Sequence, residues 1–131
     1  MPTDILFDLG SHERPLRTAA RALGAAGINI EGLSGPMSVG DVLAGHLLVE
    51  DADAATTALE AAGLRVIRLQ EVLITEIEDR PSALADLYEK LYALSEFHSV
   101  DFAYLTTRGQ LVMGIDPPEA LTSVRQALGI G

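Results

Sequence analysis

Apolar and polar positions alternate along the chain in blocks that predict strands and helices in a regular order. The segment Asp4–Gly10 is rich in β-compatible apolar residues and ends at a glycine, as strands often do. After it, Leu16, Ala19 and Leu23 recur at helical spacing up to Gly27, which predicts an amphipathic helix. The rest of this half reads as strand, loop, strand, helix and strand over residues 28–33, 34–40, 44–50, 51–63 and 64–70. The predicted order is βαββαβ.

The same order begins again at residue 72. A strand over residues 72–78 is followed by Asp79-Arg80-Pro81-Ser82, which predicts a helix start with proline in the first turn. Two strands over residues 100–107 and 110–116 are joined by a tight turn at Arg108-Gly109. A final helix begins at Pro117-Pro118 and stops at Gly129. The second half therefore repeats the first without its last strand.

Constant shifts in numbering superpose the helices of the two halves. At shifts of 68 and 66 residues, Leu16, Ala19 and Leu23 match Leu84, Leu87 and Leu91, while Ala55, Ala58, Ala62 and Gly63 match Leu121, Val124, Leu128 and Gly129. We therefore predict an internal duplication with units 1–71 and 72–131. The predicted class is α+β, with antiparallel sheets and helices on one face. The first strand of the second unit then has an unpaired edge, and we expect a strand from a second chain or a rearranged neighbour to cover it.

Composition and charge exclude several kinds of function. The formal net charge of −10 disfavours nucleic acid and anionic membranes as partners, because both require clustered basic residues. The absence of cysteine excludes disulfides and thiolate chemistry. No stretch resembles a signal peptide or reaches the roughly 18 apolar residues of a membrane span, so we expect a cytoplasmic protein. His12, His46 and His98 lie far apart, and we predict neither a metal site nor a cofactor.

Two stretches resemble the ACT family of small regulatory domains. Residues 21–32, Arg-Ala-Leu-Gly-Ala-Ala-Gly-Ile-Asn-Ile-Glu-Gly, look like the helix-to-strand passage of that family. Residues 78–84, Glu-Asp-Arg-Pro-Ser-Ala-Leu, resemble its strand-to-helix loop, where Pro-Gly-x-Leu is usual. The resemblance implies a ferredoxin-like fold whose units pair side by side in a shared eight-stranded sheet. It also implies that an effector, most often an amino acid, binds at the interface of paired units, against the loop of one unit and the second strand of the other.

The resemblance assigns candidate ligand-binding residues to each copy. In the second copy the loop residues are Asp79, Arg80, Pro81, Ser82, Ala83 and Leu84. In the first copy they are Ser11, His12, Glu13 and Arg14, followed by Pro15 and Leu16. The second-strand positions are Asn29 and Asp101. The usual loop glycine is Arg14 in one copy and Ser82 in the other, and the usual proline is Glu13 in the first, which puts at least one of the two sites in doubt.

The loop before the helix also has a physical basis for binding an amino acid. A helix N-terminus presents unpaired N–H groups and partial positive charge, which suit a carboxylate. Asp79 can accept a hydrogen bond from an ammonium group, so loop and helix together match a zwitterion. The simpler alternative is that Asp79 and Ser11 are ordinary helix N-caps.

These observations predict a non-catalytic, amino-acid-binding regulatory protein built of tandem ACT domains. A homodimer and a partner enzyme fit this prediction. One alternative is a protein-interaction module whose ligand sites have decayed. Another is a small enzyme on a ferredoxin-like scaffold, for which Asp79 and His12 are the best candidates and no complete catalytic set is visible.

Overall fold

A computed structural model describes residues 2–10 and 12–130, so the predicted cap Ser11 lies outside the described residues. The chain forms two compact units, one ending at Gln70 and the other beginning at Glu71. Both are α+β, with an antiparallel sheet and two α-helices each. No helix in the described part of the chain is both long and apolar enough to span a membrane.

The first unit has the complete βαββαβ order. Its elements are β1 (Thr3–Asp8), α1 (Pro15–Ala25), β2 (Gly32–Val39), β3 (Val42–Val49), α2 (Ala52–Ala61) and β4 (Val66–Glu71). The strand order is β2-β3-β1-β4, and β3 runs antiparallel to both β1 and β2. Ala44–Val49 is buried throughout, and its uninterrupted apolar run Leu47-Leu48-Val49 is typical of a strand covered on both faces.

The second unit repeats this order with one strand fewer. Its elements are β5 (Leu73–Thr75), α3 (Ala83–Tyr92), β6 (Ser99–Leu105), β7 (Leu111–Asp116), a 3₁₀ turn (Pro118–Ala120) and α4 (Leu121–Ala127). Within the described residues β5 has one hydrogen-bonded neighbour, β7, so it is an edge strand. Arg125 of α4 donates from Nη2 to the carbonyl of Val72 at 3.0 Å, next to this strand. The expected covering strand therefore remains a prediction.

Each unit buries one face of its sheet under its own two helices. The first core contains Ile5, Phe7, Leu9, Ala19, Leu23, Leu47, Val49, Ala55, Leu59 and Leu64. The second contains Leu73, Leu91, Phe97, Leu111, Met113, Ile115, Ala120, Leu121 and Val124. Alternate strand residues supply these cores because successive side chains of a strand point to opposite faces. The predicted fold class is confirmed.

The ends of α2 and α4 are the same structure at a shift of 66 residues. Gly63 and Gly129 both have left-handed φ angles, 88° and 70°. The amides of Leu64 and Ile130 donate to carbonyls five residues earlier, and the two residues before them make matching bonds in both copies. Glycine adopts this conformation without steric cost and ends both helices. This shared geometry supports the duplication independently of the apolar pattern.

The prediction of a strand over residues 28–33 followed by a loop over residues 34–40 is wrong. Instead β2 begins at Gly32 and runs through the Gly35-Pro36 pair to Val39. A register shift between Ser34 and Met37 accommodates the pair, and proline is tolerated on an edge strand because its missing N–H can face away from the neighbouring strand. Pairing with β3 already begins at Glu31, whose amide donates to Leu48 O at 2.8 Å.

Two predicted helix starts also differ from the structure. Ser82, not Asp79, is the N-cap of α3, so Pro81 lies outside the first turn. Arg14 is the N-cap of α1, with Pro15 in its first turn. Neither cap side chain bonds to its helix. The cap of α2 is Asp51, whose side chain accepts from the amide of Ala54 at 3.0 Å.

Candidate functional site

The loop between β5 and α3 contains a residue in the left-handed backbone region. Ser82 has φ 70° and ψ −2°, and it is the one non-glycine residue with positive φ in the described part of the chain. An L-residue pays about 1–2 kcal/mol for this conformation, which glycine adopts freely. Ser82 occupies the position where the ACT loop usually has glycine. The loop therefore has a glycine-like backbone despite the serine.

The guanidinium of Arg80 makes three hydrogen bonds in and around the same loop. Its Nε donates to Glu78 Oε2 at 2.8 Å and its Nη2 to Asp86 Oδ2 at 3.1 Å. Its Nη1 also donates to the carbonyl of Pro81 at 3.3 Å. The hydrogen bonds to Glu78 and then Asp86, with the attraction of both carboxylates, raise the pKa of Arg80. The guanidinium thus ties the residue before the loop to the first turn of α3.

A cleft of about 180 Å³ lies beside this loop, within the second unit. The loop, the end of β5, one side of α3 and the segment after α4 form its walls; the lining residues are Thr75, Glu76, Ile77, Glu78, Arg80, Ala83, Asp86, Leu87, Lys90, Leu128 and Ile130. Sites for drug-sized ligands usually measure roughly 300–1,000 Å³. The size of this cleft therefore suits a small metabolite.

Charges of both signs line this cleft. Its anionic groups are Glu76, Glu78 and Asp86, of which Glu76 accepts from Gln110 Nε2 at 3.0 Å. Its cationic groups are Arg80 and Lys90; Arg80 is engaged by two carboxylates, while Lys90 has no ion-pair partner among the described residues. Leucine and isoleucine side chains form the remaining walls.

The first turn of α3 leaves backbone donors free close to the cleft. The amide of Ala83 donates to Arg80 O and that of Asp86 to Ser82 O. Within the described residues no acceptor is present for the two intervening amides, of Leu84 and Ala85. Unpaired amides at a helix start attract anions. The loop therefore adds donors for a carboxylate to the cation of Lys90.

The sequence identified part of this cleft. Of the predicted loop residues, Arg80 and Ala83 line it, whereas Asp79, Pro81, Ser82 and Leu84 are exposed and are not among its lining residues. The direct ligand contacts predicted for these six residues stay a prediction. The α3 residues Asp86, Leu87 and Lys90 also line the cleft but were not predicted as ligand-binding residues. Their spacing from Ala83, three, four and seven residues, places them on the same helix side and was the available signal.

The corresponding loop of the first unit has a different backbone. Arg14, at the usual glycine position, has φ −134° and ψ 66°. Its amide donates to His12 Nδ1 at 3.3 Å, and Glu13 between them is exposed. Among the described residues of this loop, 12–14, none has the left-handed backbone found at Ser82. Of the two copies, the second therefore has the loop that resembles the ACT pattern in backbone conformation.

Asn29 lines a separate cleft of about 310 Å³ at the other end of α1. The remaining lining residues are Ala26, Gly27, Ile28, Glu31, Glu50, Asp51 and Ala54. Because α1 has 11 residues, it separates Asn29 from the loop at its start by roughly 16 Å. The 10-residue α3 likewise separates Asp101, exposed on β6, from the Ser82 loop by roughly 15 Å. Within a single unit these predicted residues do not form one site.

The sequence analysis missed a buried ion-pair geometry in the first unit. Asp4 on β1 and His46 on β3 are 0% and 2% exposed, and Asp4 Oδ2 lies 2.7 Å from His46 Nδ1. The register pairs Asp4 with Leu48 and Leu6 with His46, so the two groups are diagonal neighbours on one sheet face. Their positions become related only through strand pairing, which residue spacing alone does not reveal.

Comparisons with known proteins identify the fold. No family model and no curated protein matches the chain. Among solved structures, protein BT0572 from Bacteroides thetaiotaomicron is similar over 98% of this chain and 87% of its own, with a TM-score of 0.70 and 18% identity. The regulatory subunit of aspartate kinase from Thermus thermophilus covers 98% of this chain and 89% of its own, with a TM-score of 0.68 and 15% identity. The chain has a tandem ACT-type fold.

A third structure agrees over nearly the same length. The regulatory subunit of aspartate kinase from Thermus flavus has a TM-score of 0.65 and 17% identity, and the match covers 97% of this chain and 92% of that one. At these identities the likeness concerns the fold. Both halves of this tandem fold are included, because the matches extend over almost the whole chain. The fold is thus one that regulatory subunits have.

Proposed function

We propose that this protein is a non-catalytic regulatory protein that binds a free amino acid in the cleft beside the Ser82 loop. The observation that carries the proposal is that charges of both signs line one small cleft, beside a loop that has a left-handed turn and a helix start with free amides. A zwitterion needs both signs within a few ångströms. The volume of about 180 Å³ also limits the ligand to a small molecule.

The two charged groups of an amino acid have separate partners in this arrangement. The α-carboxylate is attracted by Lys90 and by the free amides of the first turn of α3. The α-ammonium is attracted by Glu76 and Glu78, which lie on the strand side of the cleft. Arg80 already neutralises part of the charge of Glu78, and this reduces repulsion between the cleft and the carboxylate. The side chain then meets the apolar wall at Leu87 and Leu128.

Regulation of a separate enzyme is the second part of the proposal. The similar chains from two Thermus species are named as regulatory subunits of aspartate kinase. By analogy, we place this protein as a cytoplasmic sensor whose ligand occupancy changes the activity of a partner enzyme. The analogy supports the role and leaves the enzyme and the amino acid open. Such regulation requires that ligand binding alters the surface that contacts the enzyme. Because coupling is reciprocal, binding of the enzyme then alters the affinity for the ligand by the same factor.

A thermal-shift screen of the twenty amino acids tests ligand binding. At ten times its dissociation constant, a ligand that binds only the native state stabilises it by about 1.4 kcal/mol. For a cooperative unit of 60–100 residues that corresponds to roughly 5–10 °C in melting temperature. We expect one amino acid or a small related group to give such a shift. If none of the twenty raises the melting temperature at millimolar concentration, the proposal is wrong.

A matched pair of variants on α3 then localises the site. Lys90→Met removes the ammonium and keeps the aliphatic stem, so we expect at least about a tenfold loss of affinity, because hydrogen bonds to charged groups contribute about 1.5–3 kcal/mol. Glu89→Gln changes a neighbouring exposed charge that is not among the lining residues, and it should bind as the wild type does. Isothermal titration calorimetry with the amino acid found in the screen gives both values. Equal losses in the two variants would place the ligand elsewhere.

The interaction module with decayed ligand sites is the second candidate. The backbone of the first-unit loop favours it for that unit, since Arg14 replaces glycine without the left-handed turn. Ser82 argues against it for the second unit, where the turn persists. If the candidate is correct, the screen gives no shift and the protein still associates with an enzyme. The two functions therefore predict opposite outcomes of one measurement.

A further inference from the structure

Helix α1 has an outward face that is basic in an otherwise acidic protein. Arg17 and Arg21 are exposed on it, and Arg14 at its N-cap is exposed as well. These are three of the nine lysine and arginine residues of the chain, and α1 itself contains no acidic residue. In the described part of the chain none of the three guanidinium groups has an ion-pair partner. The nearest acid in sequence is Glu13, also exposed.

Helix α2 has the opposite character on its outward face. Asp53 and Glu60 are exposed, with exposed Thr57 between them, and the helix contains no basic residue. The hydroxyl of Thr57 donates to the carbonyl of Asp53 at 3.1 Å. The two carboxylates have no cationic partner among the described residues. The first unit therefore shows a basic stripe (Arg14, Arg17 and Arg21) and an acidic stripe (Asp53 and Glu60).

The two stripes lie side by side and match in spacing. Helices α1 and α2 cover the same sheet face, since both contribute to one core. They run antiparallel, because each returns from one of the antiparallel strands β1 and β3. Each stripe spans seven residues, or about 10 Å of helix. Arg14 at the start of α1 and Glu60 near the end of α2 therefore lie toward the same end of the helix layer, and Arg21 and Asp53 lie toward the other end.

We propose that two copies of this protein associate by stacking these helix layers about a two-fold axis parallel to the helices. Rotation about such an axis places α1 of each copy on α2 of the other. It leaves the position of every residue along the helix direction unchanged. The arginines of each copy then face the carboxylates of its partner, and the contact occurs twice because a two-fold interface is self-complementary. Other exposed residues of the two helices are small: Ala20, Gly24, Ala54 and Ala61. Small side chains permit close approach of the two layers.

Charge complementarity favours a second copy over other partners. The net charge of −10 opposes association with nucleic acid, so the basic stripe is better matched by an acidic protein surface. Two such copies repel at long range, and the interface needs a local arrangement that offsets this repulsion. The basic and acidic stripes provide this arrangement, because they have equal spacing and each faces the opposite stripe of the other copy. Exposed ion pairs contribute little each, so their main effect is to fix orientation, with attraction that weakens as salt rises.

A charge-swap experiment on the full chain tests the proposal. One variant carries Arg17→Glu and Arg21→Glu, and the other carries Asp53→Lys and Glu60→Lys; far-UV circular dichroism confirms that each is folded. In sedimentation equilibrium at about 50 mM salt, we expect the wild type to dimerise and each variant to dimerise at least about tenfold more weakly. In a mixed dimer, formed in an equimolar mixture of the two variants, the two mutated helices face each other with their charges reversed. The other contact joins the two unchanged helices and keeps its native charges. The mixture should therefore dimerise nearly as well as the wild type.

The outcomes separate this interface from the alternatives. A wild-type dimer that weakens at about 500 mM salt, with rescue in the mixture, supports the proposal. A wild type that is monomeric overturns it. Variants that dimerise as the wild type does also overturn it and direct attention to the sheet edge at β5. A mixture that fails to recover shows that the stripes do not face each other. None of these results depends on ligand binding.

Discussion

Replacing Ser82 by glycine should stabilise the protein. The serine has φ 70°, at a cost of about 1–2 kcal/mol that glycine avoids. Glycine loses more backbone entropy on folding than serine does, and this loss offsets about 0.5–1 kcal/mol of the stabilisation. The side chain of Ser82 makes no capping hydrogen bond, so its removal breaks no hydrogen bond to the start of α3. We expect Ser82→Gly to raise the free energy of unfolding by about 0.5–1 kcal/mol.

Urea denaturation followed by circular dichroism measures this difference. The matched control is Ser123→Gly within α4, where the helical backbone gives glycine no advantage and we expect a loss of about 0.5 kcal/mol. Ser82→Val provides a second check, because a β-branched residue is strained at positive φ and should destabilise. The midpoint should change while the slope stays constant. If Ser82→Gly and Ser123→Gly destabilise to the same extent, the strain attributed to Ser82 does not exist.

Three further substitutions test packing and capping by thermal or urea unfolding. Leu91→Ala removes a fully buried side chain from the second core and should cost about 2.7–5 kcal/mol; a cost under 1 kcal/mol would contradict that burial. Gly114→Ala should cost about 1–3 kcal/mol, because the new methyl group overlaps the ring of Phe102, and adding Phe102→Ala should recover part of the loss. Asp51→Ala removes the cap of α2 and should cost about 1 kcal/mol, whereas Asp51→Asn should retain most of the stability.

The sequence could predict the order of elements because helical periodicity and glycine stops are local signals. Leu23 and Leu91 are both fully buried, as their equivalent positions in the two apolar stripes predict. The extent of β2 through residues 34–39 could not be predicted, since Gly35-Pro36 is typical of a loop by composition. Its placement in an edge strand depends on pairing with β3, which is a tertiary effect.

The candidate site was predictable only in its location. The loop before α3 could be identified from Pro81-Ser82-Ala83-Leu84 and its likeness to a family pattern. The cap of α3 could not, because Asp79 and Ser82 have similar N-cap propensities and the chain places Ser82 there through a left-handed turn. Leu128 and Ile130 line the cleft from a remote part of the sequence, and only the fold brings them to α3.

Divergence between the two copies bears on which loop binds the ligand. Neither loop has the glycine that is usual in the family pattern it resembles, yet of the two positions only Ser82 has the left-handed backbone that glycine adopts freely. A strained residue persists where the surrounding structure determines it, and here Arg80 bridges Glu78 and Asp86 across the turn. At Arg14 no comparable bridge is present among the described residues, and the backbone has an ordinary negative φ. The first unit has the same order of elements without the strained turn, so that order does not by itself require it. We therefore infer that a function at the Ser82 loop maintains the strain, and we expect Ser82→Gly to retain ligand binding, since the turn itself is retained.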